Sequence, residues 1–342
     1  MSAVSLRALL RGGGVARLWR DPRYASLAVT VSLFVAMSVA GGVLYDGFLR
    51  PQVFLNLLID NSFLLIVAVG MTFVILTGGI DLSVGAVIAF STVLLASLVQ
   101  QHGWHPLPAI ALVLALGSGF GALMGVLIQR YRLQPFVVTL AGMFLARGAA
   151  TLVSVESIGI DHAFHVAVAS LRIPVGGGAS LSAGAVIALL VVAGGALLAG
   201  MTRFGRSVYA IGGSEASARL MGLPVDRTLV QVYALSGFCS ALGGVVYTFY
   251  MLSGYSLHAM GLELDAIAAV VIGGTLLAGG SGYVLGTVFG VLVLGLIQTL
   301  IVFDGTLSSW WTRIAIGALL LLFCLLQRLL AGRRAHGEAS HG

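Results

Sequence analysis

"TGGIDLSVGA", residues 77–86, interrupts an apolar stretch with two glycines, an aspartate and a serine. The surroundings make the interruption significant. The chain has 342 residues, 59% hydrophobic and only 9% charged, with a mean hydropathy of +1.06. A soluble domain of this length carries far more charge, so the chain reads as an integral membrane protein. In lipid, irregular backbone survives only against protein or a water-filled cavity. The stretch at 77–86 therefore marks either a capped turn between two helices or a broken segment lining a path.

A spanning helix needs roughly 20 apolar residues. Ten runs qualify, near 24–45, 54–77, 80–100, 107–129, 134–154, 180–200, 228–252, 264–280, 284–303 and 310–330. The expected fold is an all-α polytopic membrane protein of about ten transmembrane helices, with broken or re-entrant helices near 77–85 and 278–286. Gly78 and Gly79 precede Gly85 with the spacing GGxxxxxG, and Gly279 and Gly280 precede Gly286 in the same way, 201 residues later. That recurrence suggests duplicated halves, although the second copy lacks the aspartate.

Charge sets orientation. All 18 basic residues are arginines, and 14 of them fall on one side of a ten-span arrangement: Arg7 to Arg23, Arg130, Arg132, the four of the loop after the sixth span, and Arg328 to Arg334. The positive-inside rule then places both termini in the cytoplasm. Arg50 and Arg172 fall in opposite loops, and Arg147 and Arg313 lie inside or beside spans. The chain divides into an Arg-rich cytoplasmic segment 1–23, a transmembrane domain 24–330 with a long loop at 201–227, and a cytoplasmic tail 331–342. The net charge of +6 belongs to this asymmetry and not to nucleic-acid binding, and the Arg-rich start is suited to anionic lipid. The first apolar run is as long as a span and lacks a small-x-small cleavage site, so it reads as an anchor. Cys239 and Cys324 read as small apolar residues within spans.

Several chemistries find no support. Without lysine there is no standard P-loop, so a partner must hydrolyse any ATP used. The histidines fall in loops or tails, and few acids lie in spans, which is thin for an ion-coupled carrier. An aspartyl protease would need glycine before its second aspartate, where Ile80 stands before Asp81, and no G-x-S-x-G surrounds any serine.

Candidate path residues are polar. Asn56 and Asp60 lie one turn apart on one helix face with Asn61 adjacent. Together with Asp81 and Ser83 at the break, these groups suit hydroxyl-bearing solutes, and Phe63, Phe73 and Phe90 offer aromatic faces. Asp81 and Ser83 can equally cap the next helix, and the phenylalanines can be ordinary core or lipid contacts. In "YAIGGSEASARLMGLPVDR", residues 209–227, Ser214 can cap a short helix, Glu215 suits its positive end, Gly222 the left-handed C-terminal position, and Pro224 stops it. Ala218, Leu220 and Met221 give that helix apolar groups for a membrane surface or a partner protein. An ion-coupled secondary transporter of a small polar solute remains the alternative to a partner-driven one.

"GMTFVILTGGIDLSVGAVIAF", "YAIGGSEASARLMG" and "DAIAAVVIGGTLLAGGSG" together resemble the permease subunits of bacterial ABC importers for monosaccharides of the ribose and galactose class, from about residue 54 to 330. "VESIGI", "LAGMFLARG" and "FDGTLSSWWTRIAIG" resemble most a galactofuranose importer permease. The resemblance implies a non-catalytic, multi-pass inner-membrane subunit that pairs with a second permease, expected to be a different chain. It implies a cassette ATPase with two nucleotide-binding domains, which binds the ATP and Mg, and a periplasmic sugar-binding protein. Ser214, Glu215, Ala218, Arg219, Leu220, Met221 and Gly222 would then form the helix that docks on the ATPase.

A reporter fused after Arg334 is expected to be active only as a cytoplasmic fusion. Activity confined to the periplasm would refute the orientation.

Overall fold

The computed structural model describes residues 22–308 and 310–339, with side chains described over 27–308 and 310–325. Residues 1–21 of the Arg-rich segment and 340–342 of the tail therefore lie outside the described residues. The chain opens with α1 (Pro22–Leu44), then α2 (Pro51–Asp60) and α3 (Ser62–Leu76), which meet at a 60° bend. After the glycine break comes α4 (Val84–Ala96), prolonged by a π-helical turn at Ser97–Gln101. α5 (Pro106–Tyr131) and α6 (Pro135–Val153) each begin on proline, whose fixed φ suits a first helical turn. A surface region follows with β1 (Ile158–Gly159), α7 (Ala163–Ser170) and the antiparallel hairpin β2 (Arg172–Gly176) and β3 (Ala179–Ser182), in which Arg172 faces Ser182. α8 (Ala183–Met201), α9 (Arg203–Gly213) and α10 (Glu215–Leu220) are capped by the side chains of Ser182, Thr202 and Ser214 respectively. α11 (Val225–Met251), β4 (Ser253–Gly254, paired with β1), α12 (Leu262–Ile272), α13 (Val284–Asp304) and α14 (Trp310–Ala339) complete the chain.

This is an all-α polytopic membrane protein. Among the described residues seven helices are long and apolar enough to cross a membrane, and the bent α2–α3 pair makes an eighth. The other two expected runs are helical over shorter lengths. In 264–280 the helix stops at Ile272, because Gly273 and Gly274 open a glycine-rich loop. In 310–330 the apolar part of α14 is Trp310–Leu325, and the helix continues past residue 330 to Ala339.

α3 forms the centre of the bundle. Every one of its residues except Phe63 is buried, as befits a helix that is hydrophobic all round. α11 crosses beside it and packs against α5 along glycines. A side chain at Gly117 or Gly121 would strike the backbone of α11 at Gly237 or Tyr233. Gly117, Gly121 and Gly125 repeat at four-residue spacing, which is the small-residue stripe that lets membrane helices approach closely.

The two broken segments meet. α3 ends at Leu76 and the chain turns through Gly78, at φ 78°, while the second break turns through Gly279 and Gly280, at φ 87° and 74°. The Gly280 amide donates to the Leu76 carbonyl at 2.9 Å, and so the repeated glycine pairs are neighbours in space. Gly212 and Gly213, which end α9, close the third side, leaving no room for a β-carbon at Gly280 within 2.8 Å of the Gly213 amide nitrogen. The carbonyl of Ile272, last in α12, accepts from the buried Thr30 hydroxyl of α1.

Loops therefore gather at two ends. One end holds both glycine breaks, the α5–α6 turn and the α9–α10 loop. The other holds the α1–α2 turn, the region 154–182, the α11–α12 connection and the start of α14.

Gly280→Val combines a left-handed φ with a backbone collision and is expected to cost at least about 1–3 kcal/mol. The check is the thermal unfolding midpoint of the detergent-purified protein, and an unchanged midpoint would show that the junction is not packed as described.

Candidate functional site

The polar residues singled out in the sequence fall into two groups at opposite ends of α3, whose 15 residues separate them by about 22 Å. The first group surrounds the α2–α3 bend. Asn61 is buried there and its Nδ2 donates to the Leu57 carbonyl at 3.0 Å, satisfying an acceptor near the kink. Asn56 and Asp60 are exposed. Asn56 accepts from Gln52 at 2.8 Å, and Gln52 also pairs with both backbone groups of Ser180, pinning α2 to β3. Asp60 accepts from the Tyr250 hydroxyl at 3.2 Å. Phe63 stands edge-on to Tyr247 with ring centroids 4.7 Å apart and lies 6.2 Å from Tyr250. A small cavity of about 120 Å³ opens beside this group, lined by Ser62, Arg172, Ser182, Phe249 and Tyr250 among others.

The second group is the glycine break. Asp81 is only 1% exposed. Its Oδ1 accepts from the Ser83 amide at 2.9 Å and hydroxyl at 2.7 Å, and its Oδ2 accepts from Ser236 of α11 at 2.7 Å. Thus Asp81 provides a local turn at the start of α4 and ties that start to α11. Phe73 is fully buried and packs 5.8 Å from Phe204 of α9, and Phe90 lies half-buried in a second apolar cluster. Of the three phenylalanines, only Phe63 shares a site with the polar bend.

The loop between α8 and α11 is more ordered than its sequence suggests. α9 precedes the short α10, and Ala218 is buried against Ile211 and Val225 in a small apolar core of their own. The structure separates Ala218 from Leu220 and Met221, which point outward with 90% and 66% exposure. Ser214 accepts from the Ser217 amide, and Gly222 takes φ 74° as the chain leaves the helix. Arg219 pairs with Glu215 at 2.9 Å and with Asp226 at 2.7 Å, fastening α10 to the start of α11. Those hydrogen bonds, Glu215's first, hold its guanidinium above the usual arginine range. Exposed pairs of this kind stabilise by under about 1 kcal/mol each, so their contribution is mainly orientation.

A cavity of about 620 Å³ connects the break to this loop, lined by Gly78, Gly79, Arg132, Glu215, Arg219 and Tyr233 among others. The Tyr233 hydroxyl is buried there without a hydrogen-bond partner. Sequence reasoning missed Tyr233 and Ser236, because neither stands out among the residues of a long apolar helix. It also missed His165 of α7, whose ring is buried beside Phe249 with both nitrogens unpartnered. Burial first, and His162 second, push that imidazole down to about 4.

A bundle of this kind, with broken helices at its centre and a structured loop presenting an apolar tip, defines a multi-pass membrane protein. The chain belongs to the family described as branched-chain amino acid transport system permease components, which matches residues 53–324. It is 53% identical to the inner membrane ABC transporter permease protein YjfF of Escherichia coli (strain K12), over 90% of this chain and 92% of that one. It is 42% identical to the fructose import permease protein FruG of Bifidobacterium longum, over 90% and 92%, and 36% identical to the ribose import permease protein RbsC of Bacillus subtilis, over 91% and 95%. No solved structure matches the chain. The protein is a non-catalytic permease component embedded in the inner membrane through multiple spans.

Ser236→Ala removes the partner of Asp81 Oδ2 inside the bundle and is expected to cost about 1–3 kcal/mol. Thermal unfolding in detergent measures it, and a change within error would mean that the α4–α11 tie contributes nothing.

Proposed function

We propose that this chain is one of two permease subunits of an ABC importer that carries a monosaccharide, galactofuranose, from a periplasmic binding protein to the cytoplasm. Both termini and the α9–α10 loop then face the cytoplasm, and the α2–α3 bend faces the periplasm. The observation that carries the reading is the tip of α10. Leu220 and Met221 are exposed on a loop helix that already satisfies its own small core, and apolar groups presented this way in water favour a partner protein. That partner is the cassette ATPase, which binds the ATP and Mg, since a lysine-free chain cannot form a standard P-loop. The second permease is a different chain, so the pair is a heterodimer.

Substrate class rests on the relatives and on the polar groups together. The family description speaks of branched-chain amino acids, whereas the relatives are named for ribose and fructose import. Amides, hydroxyls and aromatic edges around the bend suit a neutral sugar, and they supply few charge-assisted bonds, so the permease holds its cargo weakly. Selectivity resides in the binding protein. The ion-coupled alternative is disfavoured by the 53% identity to an ABC transporter permease.

Purification from native membranes is expected to recover a second permease and an ATPase with the chain, and the reconstituted complex to take up a neutral monosaccharide in preference to leucine. Uptake of amino acids with no sugar transported would overturn the substrate class. Leu220→Asp places a charge on the docking tip and is expected to leave the permease inserted while the ATPase no longer co-purifies. Normal recovery of the complex with normal uptake would overturn the docking role.

A further inference from the structure

Between α11 and α12 the chain does not stay at the surface. Ser253 to Gly261 is largely non-helical and runs down alongside α4. Gly254 lies against the Thr92 carbonyl and Ala96, whereas the Ala259 carbonyl and Glu263 lie against Gly85. Between Thr92 and Gly85 the α4 axis advances about 10 Å. The segment is bounded by left-handed backbone at Leu252 (φ 48°) and contains it again at Ala259 (φ 56°) and Gly261 (φ 83°). For the first two, residues with a β-carbon hold a conformation that only the surrounding structure can enforce.

Charged groups collect around it. Arg147 sits six residues before the end of α6, about 9 Å inside that helix, where an unpaired guanidinium is costly. It donates to the Ser256 and His258 carbonyls, each at 2.8 Å. Glu263 and Asp265 open α12, and Arg313 of α14 reaches Asp265 at 3.7 Å. Two arginines thus face two carboxylates, with no net charge. Hydrogen-bonding capacity is left over, because His258 Nδ1 and Glu263 Oε2 are buried without partners. Tyr247 packs on His258 with ring centroids 4.9 Å apart. On the same segment Leu257 and Met260 are 47% and 62% exposed.

Irregular backbone and ionised groups at this depth do not face lipid. We propose that the segment Ser253–Gly261, with Arg147, His258 and Glu263, lines the solute path on the periplasmic side and forms a polar site for the hydroxyls of a neutral sugar. This deepens the importer reading and rests on it for the identity of the solute. With opposite charges balanced, the cluster has no net long-range preference for an ion of either sign, while spare donor and acceptor capacity matches a polyol. Tyr247 belongs both to this cluster and to the aromatic group at the α2–α3 bend, so the two regions are continuous.

The test has two arms. In membrane vesicles, cysteine at Met260 or Leu257 is reacted with a charged, water-soluble thiol reagent, with Leu190→Cys on the exposed face of α8 as the lipid control. The thiolate that reacts forms in water and not in lipid, so labelling of M260C and L257C is expected to be at least about ten times faster than that of L190C. Rates equal to the control would overturn the proposal, since the segment would then face lipid or lie sealed beneath a partner. This arm needs only an inserted chain, and its outcome is independent of which solute is carried. In the reconstituted importer, Glu263→Gln is expected to lower sugar carried per ATP hydrolysed by about tenfold, the effect of weakening one charge-assisted bond. An unchanged ratio would remove Glu263 from the path. If fast labelling of M260C and L257C accompanies a complex that moves no sugar at all, the importer reading fails and the path assignment stands.

Discussion

The fold depends on one requirement, that every backbone polar group freed by breaking a helix inside the bilayer find a partner within the protein. Each unsatisfied group in hydrocarbon costs several kcal/mol, yet this chain breaks its two central helices. The hydrogen bond from the Gly280 amide to the Leu76 carbonyl satisfies one donor of the second break and one acceptor of the first, and turns such as the Gly79 amide to the Val74 carbonyl and the Leu276 amide to the Ser281 carbonyl satisfy others. Around it, Thr30 takes the last carbonyl of α12, and Asp81 takes the Ser83 amide as α4 begins. Glycine is required because three backbones meet at the junction, and a β-carbon at Gly280 or Gly212 would occupy space that a neighbouring main chain already fills.

That junction fixes what the α9–α10 loop can influence. α9 ends in the two glycines that pack against Gly279 and Gly280, and α10 follows after Ser214 alone. The loop therefore touches the meeting point of the breaks through backbone, with no flexible side chain between. The cavity lined by Gly78, Gly79, Glu215 and Arg219 lies on this route, providing open space beside a tightly packed contact.

Much of this was legible in the sequence, and the exceptions have physical causes. The membrane class followed from composition, and the glycine spacing at 78–85 and 279–286 identified two breaks that prove to touch. Ser214, Gly222 and Pro224 marked α10, since capping and termination use side-chain chemistry that is local in sequence. Ala218 was grouped with Leu220 and Met221 because apolar residues look alike in a string, and its burial against Ile211 and Val225 depends on how α9 folds back. Asn61 and Asp81 read as one polar region, yet a helix 15 residues long stands between them. Ser236 and Tyr233 gave no signal, because a serine or tyrosine in an apolar helix acquires its role only from the residue it meets across the bundle.

The two ends of α3 present their polar groups differently. At the bend, Asp60, Tyr250 and Phe63 are held by long-range contacts and leave polar atoms facing open space. At the break, Asp81 has both carboxylate oxygens engaged and almost no exposure, so its bonds in this structure run to Ser83 and Ser236 and it presents no open polar surface. For the importer proposed above, the open polar groups of the bend are therefore the first that a solute would meet, and the enclosed carboxylate at the break holds the start of α4 against α11.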